Sequence, residues 1–367
     1  MIFLELEKLK DKIKEYKKIV IFGAGISGIF AYQYIKKNEK EILDGAEVIA
    51  FFDNDPKKKN NDEFKKKYGI PCVSPKEFEY NEKILILNTV RRRKKEIFDQ
   101  YNKKLSGGRQ NFCITSDAYI YCMEIEKLQF LYDSLECKSS KKVLRKILKA
   151  SLSDDNTEYE KIYNENQYFA LPQFTNVGID DIFVDCGAYV GDTIERYIFN
   201  RLGVFNKIYA FEPGEKQREA MQYRIERLKK EWALEDNAII VVPSALGEKN
   251  RQTKMNGTKS LMGYNLLVEN TEYDVELINC VTLDDFFSGI EEKPTFIKVD
   301  VEGYELELLK GARNIIEKEK PLLALSVYHK PEDLWEIFDF IRGIRSDYKF
   351  DLLHHSAFEA ETVLYCY

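Results

Sequence analysis

The chain contains two glycine-rich turns, each of which follows an apolar strand and precedes a helix. The first turn is Gly23-Ala-Gly25-Ile-Ser-Gly28, and the second begins at Gly187 and runs through Gly191. Glycine lets a backbone turn tightly and approach a ligand closely. A strand, a glycine turn and a helix in this order are typical of parallel sheets that bind ligands beyond the carboxyl ends of their strands. The sequence therefore predicts two such sheets.

Alternating strand and helix patterns surround both turns and predict an α/β fold with two Rossmann-like domains. We place the first domain at residues 1–118, a helical connector at 119–178 and the second domain at 179–367. The second domain has seven predicted strands, at 182–185, 207–211, 238–242, 295–300, 321–328, 348–353 and 361–367. The last two strands are separated by a short segment, which predicts that the last strand is antiparallel.

Composition excludes some partners. The net charge of −6 gives no field suited to nucleic acid, so we expect no nucleic-acid partner. No stretch approaches the roughly 20 apolar residues that span a bilayer, and the first residues have no signal-peptide pattern. The seven cysteines form no CxxC pair, and Cys186 is expected to be a buried small residue. These features fit a reduced, cytoplasmic protein, and they are compatible with an oligomer.

Acidic residues flank the second turn and point to its ligand. Asp185 precedes Gly187, and Asp192 follows Gly191. A dinucleotide would place its pyrophosphate at this helix start, where both acids would repel it. S-adenosylmethionine (SAM) has no phosphate, and its ammonium and sulfonium are cationic. An alternative for Asp192 is a first-turn acid that the helix dipole favours.

Glu212 ends the next strand, about 25 residues after Gly187, where an acid can accept hydrogen bonds from the ribose hydroxyls. The predicted SAM-binding residues are Asp185, Gly187, Ala188, Tyr189, Gly191, Asp192, Thr193, Glu212, Ser244 and Ala245.

Candidate catalytic residues follow later strands of the second domain. Asp300 and Glu302 end the fourth strand, where a carboxylate can orient a hydroxyl or accept its proton. Either acid could instead cap the following helix. His329 follows the fifth strand, and His354 and His355 follow the sixth, so that His329 or His355 could serve as a general base. We predict no metal, because these residues lack tight ligand spacing.

The second domain resembles the FkbM-type SAM-dependent methyltransferases. The resemblance is carried by six segments in order, which are FVDCGAYVGDT, IYAFEP, TLDDF, IKVDVEGYELELLKGA, LALSVYHKPEDLWEI and ETVLYCY. It implies O-methylation, often of sugars or polyketide hydroxyls, with residues 187–193 as the methionine-side SAM loop and Glu212 as the ribose ligand. Val190 departs from the family pattern, in which Asp is frequent, and so does Leu353, where Arg is common.

The first turn is a full GxGxxG without acids, so it would tolerate phosphate. Gly23, Gly25, Gly28 and Asp53, which ends the next strand, form a candidate second nucleotide site. The domain resembles nucleotide- or sugar-nucleotide-binding domains of polysaccharide-modifying enzymes, or it keeps the fold and binds nothing. Residues 91–95 (RRRKK) are either a phosphate-binding segment or a solvated helix start.

The leading hypothesis is SAM-dependent methyl transfer to a hydroxyl of a small molecule, sugar or glycoconjugate. Alternatives are transfer to nitrogen or to a carboxylate, and a two-domain nucleotide-binding protein without catalysis. An NAD-dependent activity of the first domain has little support, because we identify no catalytic set of residues after its turn.

Overall fold

The computed structural model describes residues 2–78, 82–90, 96–97, 111–153, 156–176, 178–256 and 275–367. The chain divides into two compact units. The first contains residues 1–133, 142–161 and 330–332, and the second contains residues 134–141, 162–329 and 333–367. The segment 119–178, for which we predict a connector, is thus divided between the two units.

The first unit is built on a five-stranded parallel sheet with the strand order β3-β2-β1-β4-β5. Its strands are β1 (Lys18–Phe22), β2 (Glu47–Phe52), β3 (Cys72–Val73), β4 (Ile84–Asn88) and β5 (Phe112–Thr115). The helices given for the described residues up to residue 160 are α1 (Ile2–Ile13), α2 (Ile26–Lys37), α3 (Glu39–Ile42), α4 (Asp62–Tyr68), α5 (Ser116–Met123), α6 (Ile125–Ser134), α7 (Lys138–Ser153) and α8 (Thr157–Glu160). The predicted α/β architecture is confirmed for this unit.

The first glycine turn connects β1 to α2, and two of its glycines are required by its geometry. Gly23 has a φ of +104°, which side-chain-bearing residues rarely adopt. A Cβ on Gly28 would lie 1.9 Å from the carbonyl oxygen of Gly23, so this helix position must be bare for α2 to pack against the turn. A Cβ on Gly25, in contrast, would meet no atom within 4 Å.

The second unit contains a seven-stranded sheet with the order β14-β15-β13-β12-β6-β7-β8. Its strands are β6 (Ile182–Cys186), β7 (Lys207–Phe211), β8 (Ile239–Val242), β12 (Phe296–Val299), β13 (Leu322–Ser326), β14 (Phe350–His354) and β15 (Thr362–Cys366). Strand β15 is antiparallel to both of its neighbours, and the other pairs are parallel. All seven predicted strands and the antiparallel last strand are confirmed.

The helices of this unit lie between the strands. They are α9 (Asp192–Asn200), α10 (Glu215–Trp232), α11 (Leu283–Phe286), α12 (Glu305–Lys310), α13 (Arg313–Glu319) and α14 (Asp333–Ile344). The chain leaves β6 toward β7 and β8 on one side and later returns to β12 and β13 on the other. The strand order therefore reverses between β6 and β12, and ligands of open α/β sheets bind at such a point.

A second, three-stranded sheet was not predicted. It has the order β10-β11-β9 and consists of β9 (Ala245–Leu246), β10 (Arg251–Asn256) and β11 (Val275–Val281). Strand β9 directly follows Ser244, so this sheet extends from one edge of the predicted SAM site.

Aromatic side chains form much of the core of the second unit. The rings of Phe183 and Tyr197 stack with 4.3 Å between their centroids, and Phe296 packs 4.9 Å from Phe183. All three side chains are buried. Strand β6 and helix α9, which carry the second glycine turn between them, are therefore fixed by the same cluster. No helix in the described ranges is long and apolar enough to cross a membrane.

Candidate functional site

A pocket of about 370 Å³ opens beyond the carboxyl ends of β6, β7 and β12. This volume suits a small molecule. The predicted site residues that line it are Gly187, Tyr189, Asp192, Thr193, Glu212, Ser244, Ala245, Asp300 and Glu302. Asp185, Ala188, Gly191, His329 and His355 are not among its lining residues. The structure thus brings most of the predicted cofactor residues and two predicted catalytic acids to one place.

The second glycine turn shapes the wall of this pocket. Gly187 has a φ of +79°, and a Cβ there would lie 1.9 Å from the carbonyl oxygen of Asp300. Gly191 precedes helix α9 with a φ of +77°. The backbone N–H groups of Gly187 and Ala188 donate to the carbonyl oxygen of Phe211, at 3.1 and 3.0 Å. These contacts hold the turn against the ends of β7 and β12, where only glycine fits at position 187.

Glu212 links the end of β7 to the glycine turn. One carboxylate oxygen accepts from the backbone N–H of Tyr189 at 3.0 Å, and the other accepts from Gly214 at 2.7 Å. Burial raises the pKa of Glu212 to about 7, although these N–H groups favour its charged form. Each oxygen keeps a second lone pair, so the carboxylate can still accept hydrogen bonds from a ligand.

Asp185, predicted to bind SAM, instead forms a buried ion pair. Its carboxylate lies 3.0 Å from the ammonium of Lys298, which also donates to the carbonyl oxygen of Gly187 at 2.7 Å. Burial raises the pKa of Asp185 to about 6, and the nearby Lys298 opposes the shift. Burial would lower the pKa of Lys298, but the carboxylates of Asp185 and Asp300 outweigh it and raise the pKa. Asp185 therefore anchors the strand beneath the turn instead of facing the pocket.

Asp300 is held by two tyrosines. The hydroxyl of Tyr168 donates to Asp300 Oδ2 at 2.7 Å, and the hydroxyl of Tyr328 lies 3.3 Å from Oδ1. Both tyrosines line the pocket, together with Gln167 and Glu361. None of these four was predicted as a site residue. The signal for Tyr328 was its place at the end of the fifth strand, whereas Tyr168 follows no strand of this sheet and is 132 residues from Asp300 in sequence.

Three carboxylates, those of Asp300, Glu302 and Glu361, line this end of the pocket. Burial raises the pKa of Glu302 to about 7, and it also raises the pKa of Glu361. Glu302 has a φ of +57°, which is rare for a residue with a side chain. The side chain of Tyr304, the N-cap residue of helix α12, makes no capping hydrogen bond.

His329 lies behind these acids. Its Nδ1 is 3.0 Å from Glu305 Oε1, and its Nε2 is 3.6 Å from both Asp300 Oδ1 and Glu302 Oε2. Burial would lower the pKa of His329, but the charges of Glu305, Asp300 and Glu302 outweigh it and raise the pKa to about 10. The imidazole is therefore protonated at neutral pH, which argues against its use as a general base.

The other two histidines do not converge on the pocket. His354 contacts Thr362 Oγ1 and the carbonyl oxygen of Phe358, and His355 contacts the carbonyl oxygen of Asn164 and the hydroxyl of Tyr365. Burial lowers the pKa of both His354 and His355 to about 4. Their strand-end position suggested the mouth of the pocket, but their side chains instead join buried hydrogen bonds around β15.

One group of described residues, Asp300, Glu305 and His329, has the composition of a cation site. Its geometry has another explanation. Glu305 Oε1 already accepts from the backbone N–H groups of Val301 and Gly303, at 2.9 and 3.2 Å. The imidazole lies between Glu305 and Asp300, so a charged ring occupies the space among the carboxylates.

The turn of the first unit repeats one feature of the pocket in the second. Asp53 Oδ2 accepts from the backbone N–H of Ala24 at 3.0 Å, as Glu212 does from Tyr189. The first turn of α2 contains no acidic residue. Lys58 lies 3.7 Å from Asp53. The arginine- and lysine-rich segment 91–95 lies outside the described residues.

Residues 185–352 match the profile of the methyltransferase FkbM domain, and this match spans somewhat less than half of the 367 residues. The predicted resemblance is confirmed over these residues. The structure is similar to a crystal structure of methyltransferase FkbM from Methylobacillus flagellatus KT, with a TM-score of 0.59 and 24% identity. The alignment covers 100% of this chain and 98% of the other. At this identity the similarity establishes the fold.

Two further solved structures are more distant. An rRNA methylase from Streptococcus thermophilus has a TM-score of 0.33 and 14% identity, covering 52% of this chain and 87% of its own. Fibrillarin from Aeropyrum pernix, with natively bound S-adenosyl-L-methionine, has a TM-score of 0.32 and 9% identity, covering 52% and 67%. No curated protein matches the chain.

Proposed function

We propose that the chain is a SAM-dependent O-methyltransferase that acts on a hydroxyl of a sugar or glycoconjugate. The match to the methyltransferase FkbM domain supports methyl transfer in general. The observation that carries the cofactor assignment is the position of Glu212, which lines the pocket and is hydrogen-bonded to the glycine turn. A carboxylate placed there suits the two hydroxyls of a ribose.

The pocket has the charge that a cationic cofactor requires. Asp192 and Glu212 line the cofactor end, and the ammonium of Lys298 is paired with Asp185. A pyrophosphate would face these carboxylates, and Lys298, the one cationic residue among the described lining residues, is already paired with Asp185. The ammonium and sulfonium of SAM would instead be attracted. The arrangement therefore favours SAM over a dinucleotide.

The acceptor end favours a hydroxyl over the two alternatives. Asp300, Glu302 and Glu361 would repel an acceptor carboxylate. They would also stabilise the charged form of an acceptor amine, which has no lone pair for attack. A neutral hydroxyl can donate its hydrogen to one of these carboxylates and keep its oxygen available. This distinction supports O-methylation over N- or carboxyl-methylation.

In the proposed reaction, the acceptor oxygen attacks the methyl carbon in line with the sulfonium. The new C–O bond forms as the C–S bond breaks. The electron pair of the C–S bond remains on sulfur, which gives S-adenosylhomocysteine. The hydroxyl proton passes to a pocket carboxylate, and Glu302 is suited because its pKa of about 7 lies near neutral pH. Asp300, fixed by Tyr168, orients the hydroxyl.

Calorimetry with SAM tests the cofactor assignment. Glu212→Ala removes the ribose acceptor, and we expect a loss of about 1.5–3 kcal/mol, or roughly tenfold or more in affinity. Glu215→Ala is the matched control, because Glu215 is an exposed acid in the first turn of the next helix. Equal affinity of Glu212→Ala and the wild type would refute the assignment.

The chemistry is tested with methyl-labelled SAM and a panel of acceptors that contains neutral methyl glycosides, amino sugars and uronic acids. An O-methyl ether survives mild alkali, whereas a carboxyl methyl ester is released, and mass spectrometry locates the added methyl. Label on amines or esters alone would contradict O-methylation. SAM binding without transfer to any glycoside, amine or carboxylate would favour a non-catalytic binding protein.

We also propose that the first unit binds a second, nucleotide-type ligand at Gly23, Gly25, Gly28 and Asp53. The hydrogen bond from Ala24 to Asp53 favours this proposal, because it repeats the acid–turn contact of Glu212. Gly25→Val is a suitable test, since its side chain would meet no protein atom near Cβ but would obstruct a ligand. Binding of neither NADH nor UDP to the wild type would refute the proposal.

A further inference from the structure

We propose that Glu305 and His329 form a buried positioning pair that holds the Asp300 and Glu302 carboxylates in place for the methyl acceptor. This inference rests on the proposed function, because it concerns the acceptor end of the same pocket. Neither Glu305 nor His329 lines the pocket itself. Their effect on the reaction is therefore exerted through the two acids that do.

Glu305 fixes the loop that follows β12. It lies in the first turn of α12 and is fully buried. Its Oε1 accepts from the backbone N–H groups of Val301 and Gly303, the two neighbours of Glu302. These bonds stabilise a loop in which Glu302 and Gly303 both have positive φ, at +57° and +92°. Such a conformation persists at a functional site when its surroundings fix it.

Glu305 also orients the imidazole of His329. Their 3.0 Å contact involves Nδ1, which leaves Nε2 facing Asp300 and Glu302 at 3.6 Å each. The ring of Tyr328 packs against the imidazole with 4.1 Å between centroids. The imidazole of His329 is thus held at Nδ1 by Glu305 and on one ring face by Tyr328. Its second nitrogen, Nε2, faces both Asp300 and Glu302.

The charge of the ring explains how the acids can lie together. The groups that act on His329 come from the end of β12, the following loop and helix, and the end of β13, and they are Asp300, Glu302, Glu305 and Tyr328. Glu361 adds a further negative charge before β15. Carboxylates at close range repel each other unless a cation lies among them. A protonated His329 supplies that cation, and Glu305 keeps it oriented.

Histidine labelling offers a direct measurement, because the chain contains three histidines in all. In ¹⁵N-histidine spectra of the full chain at pH 8, we expect one imidazolium and two neutral rings. The neutral rings are His354 and His355, because burial lowers the pKa of each to about 4. His329→Gln assigns the imidazolium signal. Three neutral rings in the wild type would overturn the proposal without bearing on methyl transfer.

Glu305→Gln tests the positioning role. The amide oxygen can still accept from Val301 and Gly303, but the negative charge is lost. We expect the imidazolium signal at pH 8 to disappear, the SAM dissociation constant to stay within about twofold and kcat for methyl transfer to a glycoside to fall at least about tenfold. Glu307→Gln in the same helix is the control, and it should retain both the imidazolium and the rate.

The outcomes separate this inference from the proposed function. Retention of the imidazolium or of full kcat in Glu305→Gln would overturn the positioning role. Loss of SAM binding in this variant would also overturn it, because Glu305 would then maintain the fold of the whole pocket. If the wild type binds SAM but methylates nothing, the proposed reaction fails, while the histidine spectra still decide whether the charged pair exists.

Discussion

At the scale of single residues, the carboxylates of the second unit divide into two groups with different surroundings. Asp185 is paired with the ammonium of Lys298, and Glu305 accepts backbone N–H groups beside His329. Glu212 and Glu302 instead line the pocket, and burial raises the pKa of each to about 7. The first group lies outside the lining of the pocket, and the second forms part of that lining.

The pKa of Glu212 predicts how SAM affinity depends on pH. As pH falls through about 7, Glu212 gains a proton and one carboxylate acceptor for the ribose is lost. If SAM binds only the ionised form, affinity should be about tenfold weaker at pH 6 than at pH 8. Calorimetry at both values measures this difference.

Glu212→Gln is the control for that measurement. The amide of Gln does not titrate. The variant should therefore bind SAM more weakly than the wild type at pH 8, and its affinity should lack the change between pH 6 and pH 8 that protonation of Glu212 causes. Titration of SAM itself would affect both proteins alike. An equal pH response in wild type and variant would show that Glu212 is not the titrating group.

At the scale of elements, strand β6 and helix α9 determine the position of the second glycine turn. Phe183 on the strand stacks on Tyr197 on the helix, with an angle of 9° between the ring planes. Both rings are fully buried and contact Phe296 on the neighbouring strand. Packing of these rings therefore sets the distance between the two ends of the turn.

Phe183→Ala should lower the free energy of unfolding by about 3–5 kcal/mol, because it leaves a cavity in this aromatic cluster. Chemical denaturation followed by fluorescence measures the change. Tyr223→Ala is the control, since Tyr223 is 81% exposed, and its effect should stay within about 0.5 kcal/mol. Similar effects of the two substitutions would mean that the cluster contributes little.

The sequence predicted elements well where one pattern determines them. Continuous apolar runs such as IFVDC and KIYAF mark buried parallel strands, and all seven strands of the large sheet were found in this way. The strands β10 and β11 were missed because residues 251–281 contain many polar residues and no clear alternation. Their pairing depends on contacts between segments that are distant in sequence.

The sequence predicted those site residues whose position follows from the end of a strand. Asp300, Glu302 and Glu212 follow strands, so topology alone brings them to one edge. The same rule misled for His355, whose side chain is directed to Tyr365 and Asn164. Strand position gives the place of a backbone, whereas the direction of a side chain follows from the packing around it. Lys298 was not predicted as a site residue, because a charged residue inside a buried strand has no evident role until its partner, here Asp185, is known.

At the scale of the whole molecule, two sheets carry two glycine turns with opposite electrostatic character. The helix after the first turn has no acid in its first turn, whereas the helix after the second has Asp192 and Glu195. The two turns should therefore respond differently to one cationic ligand. This difference can be measured within a single sample.

Hydrogen exchange of the full chain should detect SAM at the second turn. At 100 times its dissociation constant, SAM stabilises its unit by about 2.7 kcal/mol, so amides opened by unfolding of that unit should exchange up to about 100-fold more slowly. We expect this protection in residues 187–193 and 212–217. The first turn, residues 23–28, is the internal comparison, and equal protection there would contradict the assignment of SAM to the second turn.

The position of β15 has a consequence for the nascent chain during translation. This strand lies between β13 and β14, although it is the last of the three to leave the ribosome. Until residues 362–366 emerge, β13 and β14 lack the strand that joins them, and unpaired strand edges are prone to aggregate. The backbone N–H of Tyr168 donates to the hydroxyl of Tyr365, and Tyr168 in turn holds Asp300. A ribosome-bound chain would thus contain the second glycine turn early, whereas the hydrogen bonds that join Tyr365, Tyr168 and Asp300 would form only after residues 362–366 have emerged.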